Sequence, residues 1–257
     1  MITINNLHKS FGDKVILDGI DLNIDSGKTT CIIGKSGSGK SVLLKNIVGL
    51  LSPDRGLIKM DGQVISEQTQ NGLFKIRKNI GYVFQGAALF DSYTVFENVV
   101  LREYENGNRN LESLDREAQK VLSAVGLLPK FSECNTKEYK NEWKILRDKK
   151  PSDLSGGMRK RVGVARALVG SPKYIFYDEP TTGLDPVTSE QIDDLINELA
   201  NTLDITSIVI THDMFSVYRI ANKVAMLNNG KIIFDGTADQ LRSSSDNIIS
   251  EFIERFN

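Results

Sequence analysis

Cysteine, histidine and tryptophan are scarce in this 257-residue chain, with two, two and one copies. Cys31 and Cys134 lie far apart and lack the spacing of a metal site, so the first reads as a buried strand residue and the second as a loop thiol. An excess of one charge is also missing. Lys and Arg number 32 against 33 for Asp and Glu, a net charge of -1, which argues against a broad attraction to nucleic acid. No long apolar run exists. The most membrane-like stretch, residues 42–51, is broken by Lys45 and Asn46 and falls well short of the roughly 18 apolar residues of a spanning helix, so membrane contact is expected only through partners. Met1 leads directly into Ile2-Thr3-Ile4, without the basic segment and apolar core of a secretory leader, so a cytosolic chain is expected. No internal repeat or low-complexity segment stands out. What remains, 40% hydrophobic and 25% charged residues, suffices for one large core or a core with an attached subdomain.

The hydrophobic pattern changes along the chain. Residues 2–24 alternate in short apolar stretches separated by Gly12-Asp13 and Asp18-Gly19, which predicts antiparallel strands with tight turns at both places. Residues 29–33, 174–177 and 205–210 are compact apolar runs, as strands covered on both faces of a parallel sheet require. Each ends at polar residues: Gly34, Asp178-Glu179 and Thr211-His212. Ligands of open α/β sheets sit beyond the carboxyl ends of the strands, so these groups are expected to meet in one crevice. Residues 87–153 lack such runs and read as a helical subdomain inserted between a core of 1–86 and 154–257.

The loop Gly34, Lys35, Ser36, Gly37, Ser38, Gly39, Lys40 and Ser41 fits G-x-x-x-x-G-K-[ST] between an apolar strand and a helical pattern. Backbone N–H groups in such a loop form an anion nest and the helix amino end adds a favourable dipole. Lys40 meets the β- and γ-phosphates, and Ser41 offers its hydroxyl to Mg²⁺. A dinucleotide loop is disfavoured because Val42 stands where G-x-G-x-x-G has its third glycine. An Asp-Glu pair alone is commonly solvated surface. At the end of an apolar strand in a chain with a phosphate loop, Asp178 suits a metal-holding carboxylate and Glu179 an orienter of water. His212 follows a third such strand and joins this set, whereas His8 reads as an ordinary strand histidine. A second glycine-rich element, Leu154-Ser155-Gly156-Gly157-Met158, also precedes a helical pattern, with Ser155 placed as its N-cap. It reads equally as an ordinary capped helix or as a second phosphate site.

In this order, the motifs resemble those of ATP-binding cassette (ABC) nucleotide-binding subunits over essentially the whole chain. The match comprises a Walker A loop at 34–41, a Q-loop at Gln85, the signature 154–157, a Walker B strand into Asp178-Glu179, a D-loop Gly183-Leu184-Asp185 and a switch His212. The resemblance implies an α/β P-loop NTPase (RecA-like) core with a mainly parallel sheet, an N-terminal antiparallel β-subdomain and an inserted helical subdomain. It implies ATP and Mg²⁺ as ligands. Glu179, His212 and Gln85 would be catalytic, Ser41, Gln85 and Asp178 would hold the metal, and Phe11, in place of the family's more frequent Tyr, would stack on adenine. It further implies that two copies close head to tail, so that Ser155, Gly156, Gly157 and Asp185 meet the ATP held by the neighbour's loop.

The segment Gln85-Gly86-Ala87-Ala88-Leu89-Phe90 and the continuation Met158-Arg159-Lys160-Arg161 resemble ATPases of Mla/Mce-type lipid transport systems. That implies multi-spanning permease subunits, Mce-type lipid-binding and accessory subunits, and a place on the cytoplasmic face of the inner membrane. Ala87, Ala88, Leu89, Phe90 and Phe96 are expected to line an apolar groove for a membrane subunit, or to pack inside the helical subdomain. Residues 137–150 lengthen the chain beyond most cassettes. Tyr139, Trp143 and Leu146 share one helical face there, expected to pack locally, with an accessory contact as the alternative. Two further readings compete: a non-transport cassette used as a mechanical or signalling switch, and a DNA-maintenance ATPase. The latter would be expected to carry coiled-coil heptads or cysteine pairs, which are absent.

Overall fold

The computed structural model describes residues 1–256; residue 257, the last of the expected core, lies outside them. The chain opens with β1 (Ile2–Phe11), β2 (Lys14–Ile24), β3 (Thr29–Ile33) and α1 (Lys40–Ile47). Next come β4 (Arg55–Met60), β5 (Gln63–Val64), α2 (Gln70–Arg77) and β6 (Ile80–Val83). Three helices follow without a strand between them, α3 (Val95–Glu105), α4 (Leu111–Ala124) and α5 (Lys137–Arg147). The rest is α6 (Gly156–Leu168), β7 (Tyr174–Asp178), α7 (Pro186–Leu203), β8 (Thr206–Ile210), α8 (Met214–Ile220), β9 (Lys223–Asn228), β10 (Lys231–Gly236), α9 (Ala238–Arg242) and α10 (Asn247–Phe256).

Two sheets result. One is antiparallel, in the order β2-β1-β4-β5. The other runs β10-β9-β3-β8-β7-β6, parallel throughout except for the β9–β10 hairpin. The period of two along each strand divides the interior into two clusters. Ile32, Phe176, Ile208 and Ile210 face the antiparallel sheet and α1, meeting Ile4, Leu22, Leu43 and Ile47. Cys31, Ile33, Ile175, Tyr177 and Val209 face the helices on the other side. Because both faces are covered, β3 and β8 are buried at every residue, which is why their runs are unbroken.

The Gly12-Asp13 turn joins β1 to β2 as expected. Asp18-Gly19 does not make a turn: β2 runs through it. Leu7 faces Ile20 while His8 faces Asp18, so Gly19 is the extra residue of a β-bulge at φ 73. The continuing strand sends the Asp18 N–H to the Gly230 carbonyl, in the turn between β9 and β10, at 2.8 Å.

Helix α5 carries the added stretch, and its apolar stripe packs locally. Tyr139, Trp143 and Leu146 are buried in the same cluster as α3 and α4. One carboxylate on α4 organises the contact. Asp115 accepts from Trp143 Nε1 at 3.2 Å, Arg147 Nη1 at 3.0 Å and Gln119 Nε2 at 2.6 Å. The Arg147 guanidinium lies 5.0 Å from the Phe96 ring centre, and Trp143 meets Phe96 edge-on at 6.1 Å.

Candidate nucleotide site

The carboxyl ends of β3, β6, β7 and β8 open on one cavity of about 660 Å³, lined by Gly34, Ser36, Gly37, Gly39, Lys40, Ser41, Gln85, Asp178, Glu179 and His212 with Lys14 and Ile16. The loop reaches this position because Gly34 has no side chain: at φ 147 a Cβ there would stand 2.1 Å from the Leu227 carbonyl oxygen. No side chain caps α1, and no acidic residue occupies its first turn. Its leading N–H groups therefore remain available to an anion. Lys40 Nζ donates to the carbonyls of Gly34 at 2.6 Å and Lys35 at 3.1 Å, leaving the third proton of the ammonium for a ligand. Burial lowers the pKa of Lys40, and the charges of Glu179 and Asp178 oppose that shift. Ser38 Oγ is buried in the loop without a hydrogen-bond partner among the described residues.

Burial raises the pKa of Asp178, whose carboxylate accepts from Tyr82 OH at 3.3 Å. Glu179 has a left-handed backbone, φ 51, unusual for a non-glycine residue and fixed on several sides. Its N–H donates to the Ile210 carbonyl at 2.9 Å, and its Oε2 lies 2.8 Å from His212 Nδ1 and accepts from Thr182 Oγ1 at 3.2 Å. Tyr82 and Thr182 escaped the sequence reading. Tyr82 faces Phe176 in the β6–β7 register, two residues before Asp178, a placement that only the strand pairing reveals. Phe11 and Lys35 do not line the cavity. Phe11 ends β1 at 49% exposure, and Lys35 Nζ lies 3.5 Å from Glu251 on α10.

Ser41, Gln85 and Asp178 share the cavity, and a hydroxyl, an amide oxygen and one carboxylate form the hard oxygen set that suits Mg²⁺ arriving with phosphates. Among the described residues no group of three or more His, Cys, Asp or Glu could hold a metal ion.

A second cavity of about 590 Å³ gathers Ser155, Gly156, Gly157, Met158, Arg161, Gly183, Leu184, Asp185 and Thr188, and shares no lining residue with the first. Ser155 Oγ caps α6 by accepting the Met158 N–H at 3.2 Å. Asp185 caps α7, accepting from Thr188 N at 3.0 Å and Thr188 Oγ1 at 2.5 Å.

The groove residues separate. Ala87 is buried, Leu89 and Phe96 are half-buried against the core, with Phe96 on Trp143, and Ala88 is exposed. The exposed rings of this segment are Phe84, Phe90 and Tyr93, the last two 5.3 Å apart. Asn98, fully buried, holds the Phe90 loop, accepting from Phe90 N and donating to the carbonyls of Phe90, Tyr93 and Thr94. No described helix is long and apolar enough to cross a membrane.

The profile described as "ABC transporter" matches residues 17–182. An intermembrane phospholipid transport system ATP-binding protein, MlaF of Haemophilus influenzae, is 36% identical over 99% of this chain and 90% of its own length. The methionine import ATP-binding protein MetN of Carboxydothermus hydrogenoformans is 38% identical over 92% of this chain and 66% of its own. Among solved structures, cbiO1 of Clostridium perfringens, part of the ABC transporter complex cbiONQ, superposes with TM-score 0.81 at 30% identity, covering 99% of this chain and 94% of that one. The dimeric cassette MJ0796 in a post-hydrolysis state with ADP and Pi gives 0.77 at 31% identity, covering 93% and 99%. With the family profile spanning most of the chain and relatives above 30% identity along nearly its full length, the chain belongs to the ABC transporter family.

Proposed function

We propose that this chain is the ATP-hydrolysing subunit of a transporter that moves phospholipid or another lipid between membranes. The observation that carries its ATPase half is the pair of cavities at helix amino ends with no residue in common, only the first of which pairs a carboxylate with a histidine, Glu179 with His212. Two copies arranged head to tail give each ATP a loop from one chain and a signature from the other. Lys40 and the α1 amino end hold the phosphates. Glu179, oriented by His212 and Thr182, polarises the attacking water. Ser41, Gln85 and Asp178 would hold Mg²⁺, which would supply positive charge where phosphate charge develops. Phe11 offers a flat apolar surface for the base, and Ser155, Gly156, Gly157 and Asp185 shape the signature side. Residues 87–153 form the unit that meets the permease, with Phe90 and Tyr93, and Phe84 just before the unit, as the exposed aromatic contact. Mce-type lipid-binding and accessory subunits complete the assembly, and the permease keeps the cassette at the cytoplasmic face of the inner membrane.

The lipid half rests on the Ala-Leu-Phe and Met-Arg-Lys-Arg segments and on the MlaF similarity; the comparable identity to a methionine importer supports a small-solute alternative. The deciding experiment reconstitutes the chain with the membrane subunit that co-purifies with it. ATP-dependent transfer of a fluorescent phospholipid between vesicles supports the proposal, and uptake of an amino acid without lipid transfer overturns it. In the same assay Phe90→Asp is expected to keep ATP binding and lose the membrane subunit, because it puts an unpaired charge into an apolar contact. A thermal melt of the variant shows that it is still folded.

A further inference from the structure

Helix α6 begins at the second cavity, and in its second turn Lys160 turns away from that cavity into the protein, where it is only 6% exposed. Its Nζ donates to the main-chain carbonyl of Gln85 and reaches the main-chain carbonyl of Glu179 at 3.5 Å. The helix grips the same segment further along. Gly163 lies so close to Ala87 that an added Cβ would stand 3.2 Å from the Ala87 Cβ, and Arg166 donates to the carbonyls of Ala87 at 2.6 Å and Ala88 at 2.8 Å. Ala87 and Ala88 are both left-handed, φ 61 and 46, a conformation that L-residues keep only when their surroundings hold them. Arg166 fixes the far part of the segment. Lys160 alone in this set touches both Gln85 and Glu179.

We propose that Lys160 is a positioning residue for ATP hydrolysis: by bridging the main chains of Gln85 and Glu179 it keeps both side chains of the first cavity in register with the helix whose amino end forms the second. A flexible ammonium with three protons supplies two partly buried carbonyls on different elements at once, which an apolar side chain of similar length cannot. Without the bridge the Gln85 carbonyl loses this donor, and Glu179, whose backbone is already in a strained region, loses one of its restraints. The chemistry needs Glu179 placed to a fraction of an ångström, and a 1 Å displacement of a catalytic group costs on the order of a hundredfold. The inference rests on Glu179 being the group that polarises water.

The test compares Lys160→Met, Lys160→Gln and Glu179→Gln in the full chain, using a fluorescent ATP analogue for affinity, steady-state Mg-ATP hydrolysis for kcat and KM, and a thermal melt. Lys160→Met is expected to lower kcat by roughly tenfold or more while analogue affinity and KM stay within about twofold, a split that packing damage alone would not produce. Lys160→Gln, a neutral donor with two protons but one bond shorter, still able to reach the nearer Gln85 carbonyl, is expected to recover most of the rate. The proposal is overturned if Lys160→Met turns over at the parent rate. It is equally overturned if a folded Lys160→Gln is as slow as Lys160→Met, or if the rate falls only in step with affinity and melting temperature. Should Lys160→Met fail to fold, the rate of Lys160→Gln decides alone: near-parent turnover supports the bridge and a tenfold loss overturns it. Glu179→Gln separates the layers, since normal turnover in that variant removes the reading of Glu179 itself.

Discussion

The amino ends of α1 and α6 both open on cavities, yet they are finished differently. Helix α1 starts from Gly39 with no side-chain cap, and its surroundings supply Lys40, Asp178, Glu179 and His212. Helix α6 is capped by its own Ser155, and its cavity contains Arg161 and Asp185 but no carboxylate–histidine pair, Asp185 being engaged by Thr188. An uncapped end is incomplete until an anion arrives, whereas a capped end is stable alone and presents only what is left over, here a hydroxyl proton and small residues allowing close approach. Under the proposed function the first end would hold and cleave a nucleotide and the second would close over one held by the other copy.

The sharpest way to break this contrast is Glu179→Gln. Turnover is expected to fall roughly a hundredfold to ten-thousandfold, the scale of a positioned general base, while ATP binding survives; near-parent hydrolysis would move the chemistry to another group, with His212 first. Lys40→Ala comes next. Removing a charge-assisted donor of roughly 1.5–3 kcal/mol should weaken ATP binding by about ten- to a hundredfold, and unchanged affinity in a titration would mean that the first cavity is not where ATP sits.

Asp193 probes the second side through α7, whose amino end borders that cavity. Burial holds its pKa up at about 6, against an ordinary 3.8, with Asp213 and Asp194 adding to the shift and the Ser216 hydroxyl opposing it. Between those two values the folded chain keeps a proton that the unfolded chain has lost, so stability falls as pH rises from 3.8 to about 6 and stays lower above. Asp193→Asn should therefore raise Tm at pH 7, by up to roughly 3 kcal/mol of stability, and change little at pH 4, with ATP affinity unaltered. A variant with the parent's pH profile would rule out this carboxyl as the source. The smallest effect belongs to Ser155→Ala, about 1 kcal/mol for a lost N-cap, read by denaturant unfolding, again without a change in ATP affinity of the isolated chain. Weakened binding there would show that the two ends are not separate.

Those parts of the site that follow local rules were legible in the sequence. Most of the loop 34–41 meets Asp178, Glu179 and His212 in one cavity because parallel strands buried on both faces write themselves as unbroken apolar stretches and end on the same edge. The Ser155 cap follows from residue type and spacing, whereas Asp185, expected only as a D-loop residue, proves to cap α7 as well. Contacts set by pairing across the fold were not legible: Tyr82 reaches Asp178 only through the β6–β7 register, and Lys160 reaches Gln85 across 75 residues. Lys35 finds its partner on α10, near the far end of the chain. The bulge at Gly19 misleads for the same reason, since a glycine between alternating strands signals a turn or a bulge alike and the opposite strand decides which.

The single tryptophan of the chain, Trp143, donates to Asp115 on α4 and meets Phe96 on α3 edge-on, so three helices converge on one indole. Its ring senses both a nearby negative charge and an aromatic edge, two influences that set emission wavelength and yield. The protein therefore carries an optical reporter of its own: if ATP closure or permease docking displaces α3 or α4 relative to α5, intrinsic fluorescence registers it without a label, in the same cuvette in which hydrolysis is measured.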